Sequence, residues 1–130
     1  MSKEKQLISS GAKWENIVGY SRAVRVGNQL EISGTTSVDG DDVFGKGDIY
    51  AQAVFIFKKI EKILEEAGSK LGDVIRTRMY VTDISKWEDV GRAHVLFFKE
   101  IKPATTMIEV SRLIDDDLLI EIEVTAVVEN

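Results

Sequence analysis

Residues 21–33, SRAVRVGNQLEIS, read as two short alternating runs, Ala23 to Val26 and Leu30 to Ser33, joined through Gly27-Asn28. A Gly-Asn pair between alternating runs marks a two-residue hairpin, because such turns need backbone conformations that glycine and asparagine adopt most easily. Antiparallel neighbours joined this directly argue against a doubly wound sheet, whose parallel strands require long crossovers.

Residues 34–48, GTTSVDGDDVFGKGD, follow as an expected loop, too rich in Gly and Asp to continue a strand. Asp48 is a natural helix N-cap, and apolar residues then recur at Ile49, Ala53, Ile56, Phe57, Ile60, Ile63, Leu64 and Ala67, with Gly68 placed as a C-terminal cap. The opposite side, with Lys58, Lys59, Glu61, Lys62, Glu65 and Glu66, reads as a solvated surface. DVIRTRMYVTD, residues 73–83, alternates as a strand, placing Ile75, Thr77, Met79 and Val81 on one face and Arg76, Arg78 and Tyr80 on the other. Ser85 and Glu88 form a sequence-level capping box before a second helix that runs through Trp87, Val90, His94, Phe97 and Phe98 and ends ahead of Pro103. TTMIEVSRL (105–113) and LLIEIEVTAVV (118–128) read as two further strands. The order β-β-α-β-α-β-β predicts one α+β domain over residues 1–130, a mixed β-sheet packed against two helices.

Composition narrows the function classes. With 130 residues, 44% hydrophobic and 30% charged, the chain matches a single globular core. No apolar run approaches the roughly 20 residues that span a bilayer, and the N-terminal residues lack an apolar signal segment, so no membrane partner and a cytoplasmic location are expected. The absence of cysteine removes thiol nucleophiles and thiolate metal sites, and a single histidine removes the common zinc sets, so no metal or cofactor is expected. A net charge of −5 argues against a protein built to grip phosphate backbones, leaving a small-molecule ligand or a protein partner.

Several stretches invite chemistry. GDDVFGKG, residues 40–47, approaches a phosphate-binding loop, but Gly47 stands where the magnesium-binding hydroxyl belongs, and Asp41 and Asp42 would repel phosphate. His94, between Val90 and Phe98 on an apolar stripe, reads as a packed residue ahead of a general base. Glu121, Glu123 and Thr125 share one face of the last strand. Two carboxylates so placed either meet solvent or pair with cations such as Arg76 and Arg78, or else one of them lies in a cleft where burial raises its proton affinity and lets it activate water.

Three segments together resemble the YjgF/RidA family of reactive intermediate deaminases, formerly grouped with endoribonuclease L-PSP. They are GYSRAVRVGNQLEISGTT (19–36), EEAGSKLGDVIRTRMYVTDISKWEDV (65–90) and KPATTMIEVSRLIDDDLLIEIEVTAVV (102–128). The resemblance implies a chorismate-mutase-like fold, a homotrimer with ligand clefts between subunits, and hydrolysis of imines or enamines without a cofactor. Tyr20, Ser33 and Gly34 match family ligand-binding positions, and Glu121 matches the carboxylate that holds the hydrolytic water. Thr35 replaces the usual glutamine, and Gly91 and Met107 replace an asparagine and a cysteine that relatives carry. The main departure is Thr105, which occupies the place of an arginine that grips the substrate carboxylate as a bidentate fork. A hydroxyl supplies no charge there, so Arg22 and Arg78 become candidate compensating cations. The reading that results is a trimer binding a small metabolite, with Glu121 catalytic if it hydrolyses an imine other than a simple 2-imino acid; a non-catalytic ligand-binding trimer is the alternative, and RNA cleavage ranks last.

Overall fold

The computed structural model describes residues 4–129. Eight strands and three α-helices follow in the order β1 (Lys5–Ile8), α1 (Lys13–Val18), β2 (Ala23–Val26), β3 (Gln29–Thr35), β4 (Val38–Asp39), β5 (Asp42–Val43), α2 (Ile49–Glu66), β6 (Val74–Val81), α3 (Trp87–Phe98), β7 (Ala104–Glu109) and β8 (Ile120–Val127). Six strands form one sheet in the order β1-β2-β3-β8-β6-β7, antiparallel except for the parallel pair β6 and β7. The mixed α+β sheet and the hairpin at Gly27-Asn28 agree with the sequence reading.

The core lies between one face of this sheet and helices α2 and α3. Ile120, Ile122, Val124 and Ala126 from β8 meet Ala53, Ile56, Phe57, Ile60 and Leu64 from α2, all essentially inaccessible. The α2 termini follow the expected chemistry. Asp48 accepts a hydrogen bond from the Ala51 backbone N–H at 3.0 Å. At the far end Gly68 has φ +78°, and Ser69 N–H reaches back to the Leu64 carbonyl at 2.8 Å, a glycine-dependent helix stop. Arg25 donates to the Ala67 carbonyl at 2.6 Å, tying the first hairpin to the end of α2.

Five local expectations are corrected. The N-terminal segment contributes β1 and α1, four and six residues that are too short to show a periodicity. The loop at 34–48 contains the small hairpin β4-β5. Ile75 is exposed and does not share a face with Thr77 and Met79, because a register shift between Val74 and Arg76 rotates it outward. Ser85 and Glu88 form no capping box: Asp83 accepts from the Ser85 backbone N–H at 3.0 Å and opens a 3₁₀ turn over Ile84–Lys86, after which α3 begins with Trp87 exposed. Lys59, read as solvated, is half-buried and donates to the carbonyls of Thr36 and Val38 at 2.9 and 3.0 Å.

Gln52 is the most constrained polar residue on α2. Fully buried, it donates to the Gly45 and Asp117 carbonyls at 3.1 and 2.9 Å and accepts from Leu119 N–H at 2.9 Å, holding two loops that are far apart in sequence. Replacement by alanine removes the partner of three part-buried backbone groups, at about 1–3 kcal/mol each before water and relaxation offset the loss. Gln52→Ala is therefore expected to lower stability by about 3 kcal/mol. Urea unfolding checks this, and a midpoint equal to that of the parent would contradict it.

Candidate functional site

The site begins with a defect in the sheet. Ile32 pairs with Val124 and Thr35 with Ile122, so β3 spends three steps where β8 spends two. The extra residue is a β-bulge at Ser33-Gly34, and bulges re-aim side chains beside functional sites. Ile32 and Thr35 consequently both turn into the core, while Ser33 and Gly34 stay on the other side. Ser33 Oγ donates to the Ser21 carbonyl at 2.7 Å, which secures the bulge to the start of the hairpin. Gly34 lies directly beneath Glu121: a Cβ built on it would stand 2.0 Å from Glu121 Oε2. Only glycine leaves the carboxylate its place.

Glu121 lines a cavity of about 840 Å³ together with Tyr20, Arg22, Gly34 and Lys59. Its outer wall is the N-terminal segment, including Ser9, Ser10, Trp14 and Val18. That segment is folded back by Glu15, which is buried on α1 and accepts from the Ser9 hydroxyl and from the Ser10 backbone and hydroxyl. Burial pushes the Glu15 carboxyl up, but these hydrogen bonds outweigh it and hold the group below the ordinary carboxylate range. Glu121 behaves oppositely. Burial raises its proton affinity, the Arg22 charge opposes this, and the Glu123 charge adds to it, with a net upward shift.

Arg22 is 8% exposed, donates to the Gly34 carbonyl at 2.7 Å and lies 5.5 Å from the Tyr20 ring centre. Its Nε is buried without an acceptor. Lys59 is held below the ordinary lysine value by burial and by the Arg22 charge, with Asp39 opposing.

The other residues singled out from the sequence lie elsewhere. Thr35 is enclosed in the core and donates to the Ser33 carbonyl at 2.8 Å. Arg78 sits on the face of the sheet away from the helices, 3.8 Å from the Glu123 carboxylate and 3.5 Å from Thr125 Oγ1. Thr105 is the second residue of the edge strand β7, outside this cavity. Its hydroxyl donates to the Pro103 carbonyl at 3.1 Å and lies 2.8 Å from Thr77 Oγ1, which is 2.9 Å from His94 Nε2. Either hydroxyl can donate along this chain, and the His94 tautomer sets the direction. Burial lowers the proton affinity of His94, in keeping with a neutral ring there. Thr105 is exposed and tied to the sheet by these contacts.

The family model described as endoribonuclease L-PSP matches residues 10–128. The chain belongs to this family, also called the YjgF/RidA family. Among solved structures, a member of the YjgF/YER057c/UK114 family from Mycobacterium tuberculosis is similar with a TM-score of 0.87 and 47% identity, covering 96% of this chain and 100% of that one. A RutC family protein from Pyrococcus abyssi is 39% identical over 110 residues, 82% of this chain and 84% of the relative. A protein of Escherichia coli K12 named 2-iminobutanoate/2-iminopropanoate deaminase is 34% identical over 111 residues, 83% of this chain and 86% of the relative.

Lys59 is the site residue that the sequence reading of this YjgF/RidA chain missed. A signal was present: position 59 continues the buried series Gln52, Ile56, Ile63 at alternating steps of four and three, and the charge alone assigned it to solvent. Among the described residues no group of three or more His, Asp or Glu side chains is arranged to hold a metal ion, and no helix is long and apolar enough to cross a membrane.

Two outcomes follow for Glu121. Gly34→Ala is expected to evict its carboxylate, and a crystal structure of the variant with Oε2 unmoved would contradict the steric argument. Because the folded-state proton affinity of Glu121 is raised, the folded protein binds more protons than the unfolded one between the two values, so this group's contribution to stability falls as pH rises through that window. Glu121→Gln should therefore raise Tm at pH 7 and leave it little changed at a pH below the ordinary carboxylate range. A thermal melt series across pH checks the sign.

Proposed function

We propose that this family member hydrolyses the C=N bond of an imine, or of the imine tautomer of an enamine, on a substrate other than a simple 2-imino acid. The observation that carries the reading is Glu121: a carboxylate with raised proton affinity, seated on Gly34 and facing a cavity it shares with Tyr20. The deaminase name of the E. coli relative supports the same class. In this reaction Glu121 takes a proton from water as the water oxygen bonds to the imine carbon and passes that proton to the imine nitrogen, giving a neutral carbinolamine. It then takes the carbinolamine hydroxyl proton and delivers it to nitrogen as the C–N bond breaks, so that imine and water become a carbonyl compound and ammonia. Raised proton affinity suits a group that must do both near neutral pH.

The substrate restriction rests on Thr105. Its hydroxyl is neutral and already engaged with Thr77 and Pro103, so it supplies no charged fork to hold a carboxylate. Losing a charge-assisted bidentate contact costs on the order of a few kcal/mol, a factor of hundreds in rate. Wild type should therefore barely accelerate 2-aminoacrylate breakdown, and Thr105→Arg should raise that rate if the geometry of the family clamp is otherwise intact. The same substitution of hydroxyl for arginine also favours a ligand-binding protein without catalysis. Glu121→Gln separates the two readings: hydrolysis falls by orders of magnitude if Glu121 is catalytic, whereas a binder shows no turnover to lose.

The assembly belongs to the proposal as well. A homotrimer in the cytoplasm would bring Thr105 of one subunit to the cavity of the next, uniting groups that lie apart within the chain. Light scattering is expected to give about three times the 14.5 kDa chain mass. A monomer at micromolar concentration would remove the intersubunit cleft and this role of Thr105 with it.

A further inference from the structure

Arg22, Lys59 and Glu121 line the cavity, whose charged lining also includes the exposed Lys13, Lys62, Asp41 and Glu66. Among the described residues neither cation has a carboxylate within ion-pair distance, the ion pairs being Lys46–Asp117, Arg78–Glu123 and Arg92–Asp89. Both head groups are fixed instead by backbone carbonyls, Gly34 for Arg22 and Thr36 and Val38 for Lys59. Carbonyl oxygens orient a cation without neutralising it. Arg22 keeps its Nε–H buried with no acceptor, and Lys59 keeps one N–H unused. Like charges enclosed side by side are costly, and each makes the other more so. Glu15 and Glu121 lie in the field of Arg22 and Asp39 in that of Lys59, none within ion-pair distance; the Glu15 carboxylate is taken up by the Ser9 and Ser10 donors, and Glu121 is itself shifted toward its protonated form. An anion entering the cavity would relieve this arrangement. The remaining wall is partly apolar and includes Trp14, Val18, Ile63 and Ile114, and the volume of about 840 Å³ far exceeds what a three- or four-carbon acid fills.

We propose that this cavity selects an organic carboxylate with an aromatic or bulky apolar body, its anionic end held by Arg22 and Lys59 and its body lying against Trp14, Val18 and Ile114. The charge that β7 lacks at Thr105 is thereby supplied by Arg22, just ahead of β2, and by Lys59 of α2. This deepens the hydrolase reading and depends on it only for which end of the ligand reacts.

The test uses three probes on the full chain by titration calorimetry: phenylacetate, the uncharged phenylacetamide, and acetate. Phenylacetate is expected to bind roughly tenfold or more tightly than either of the others, one comparison reading the charge and the other the body. Lys59→Gln should weaken phenylacetate by about tenfold and leave phenylacetamide unchanged. Arg22→Gln should act in the same direction. Since Arg22 is buried and its loss can unfold the chain, Arg22→Lys, which retains the charge, serves beside it, and Lys59→Gln decides the matter if both Arg22 variants fail to fold. Equal affinity for phenylacetate and phenylacetamide, binding of neither, or indifference of phenylacetate to Lys59→Gln overturns the proposal. The hydrolase reading is judged separately. If Glu121→Gln abolishes imine hydrolysis while Lys59→Gln leaves phenylacetate binding intact, only the carboxylate proposal falls. If Lys59→Gln weakens phenylacetate binding while the wild type hydrolyses no imine, only the hydrolase reading falls.

Discussion

The extra residue in β3 is the constraint on which the site depends. Between Ile32 and Thr35 the strand takes three steps against two on β8. Without that bulge the period-2 alternation would send either Ile32 or Thr35 out of the core. With it, both remain buried, Ser33 is free to anchor on the Ser21 carbonyl, and Gly34 faces Glu121 with no side chain between them. The bulged carbonyl of Gly34 in turn receives the Arg22 guanidinium. One inserted residue thus sets the position of the carboxylate and of its nearest cation.

The two faces of the sheet divide the labour of stability and chemistry. Toward the helices, apolar residues of β3, β6 and β8 close the core against α2 and α3. On the other face polar side chains knit the strands together: Tyr80 donates to Glu123 at 2.8 Å, Thr125 to Glu31 at 2.5 Å, and Arg76 to Thr106 at 2.6 Å. The hydrogen bond to Glu123, more than burial, raises the proton affinity of Tyr80. These contacts occupy Arg78 as well, so it serves a neighbouring strand, while Arg22 and Lys59, with the exposed Lys13 and Lys62, line the cavity beside Glu121.

How much of this was legible in the sequence varied with the length scale of the signal. The hairpin, both ends of α2 and the alternation of β8 depend on neighbours within a few residues, and the sequence displays them directly. The residues of β1 and α1 are too few for a period, and their placement rests on Glu15 meeting Ser9 and Ser10. Lys59 was misread because a charged side chain on a buried stripe needs acceptors, and those acceptors, the Thr36 and Val38 carbonyls, come from a loop more than twenty positions away. The bulge was illegible for a related reason. Nothing local in Ile32-Ser33-Gly34-Thr35 states how β8 is registered against it, although the Ser-Gly pair marks where the alternation breaks.

Thr105, at the place where the family resemblance puts an arginine, is tied into the packing of the sheet edge. The threonine joins a chain that begins at His94, itself packed edge-on against Phe57 and 4.7 Å from the Phe98 ring, and passes through the buried Thr77. The Thr105 hydroxyl also lies 3.1 Å from the Pro103 carbonyl, so its hydrogen-bonding capacity is directed largely into the chain itself. A hydroxyl so engaged carries no charge, and the cations that stand beside Glu121 are those of the cavity wall, Arg22 and Lys59 among them.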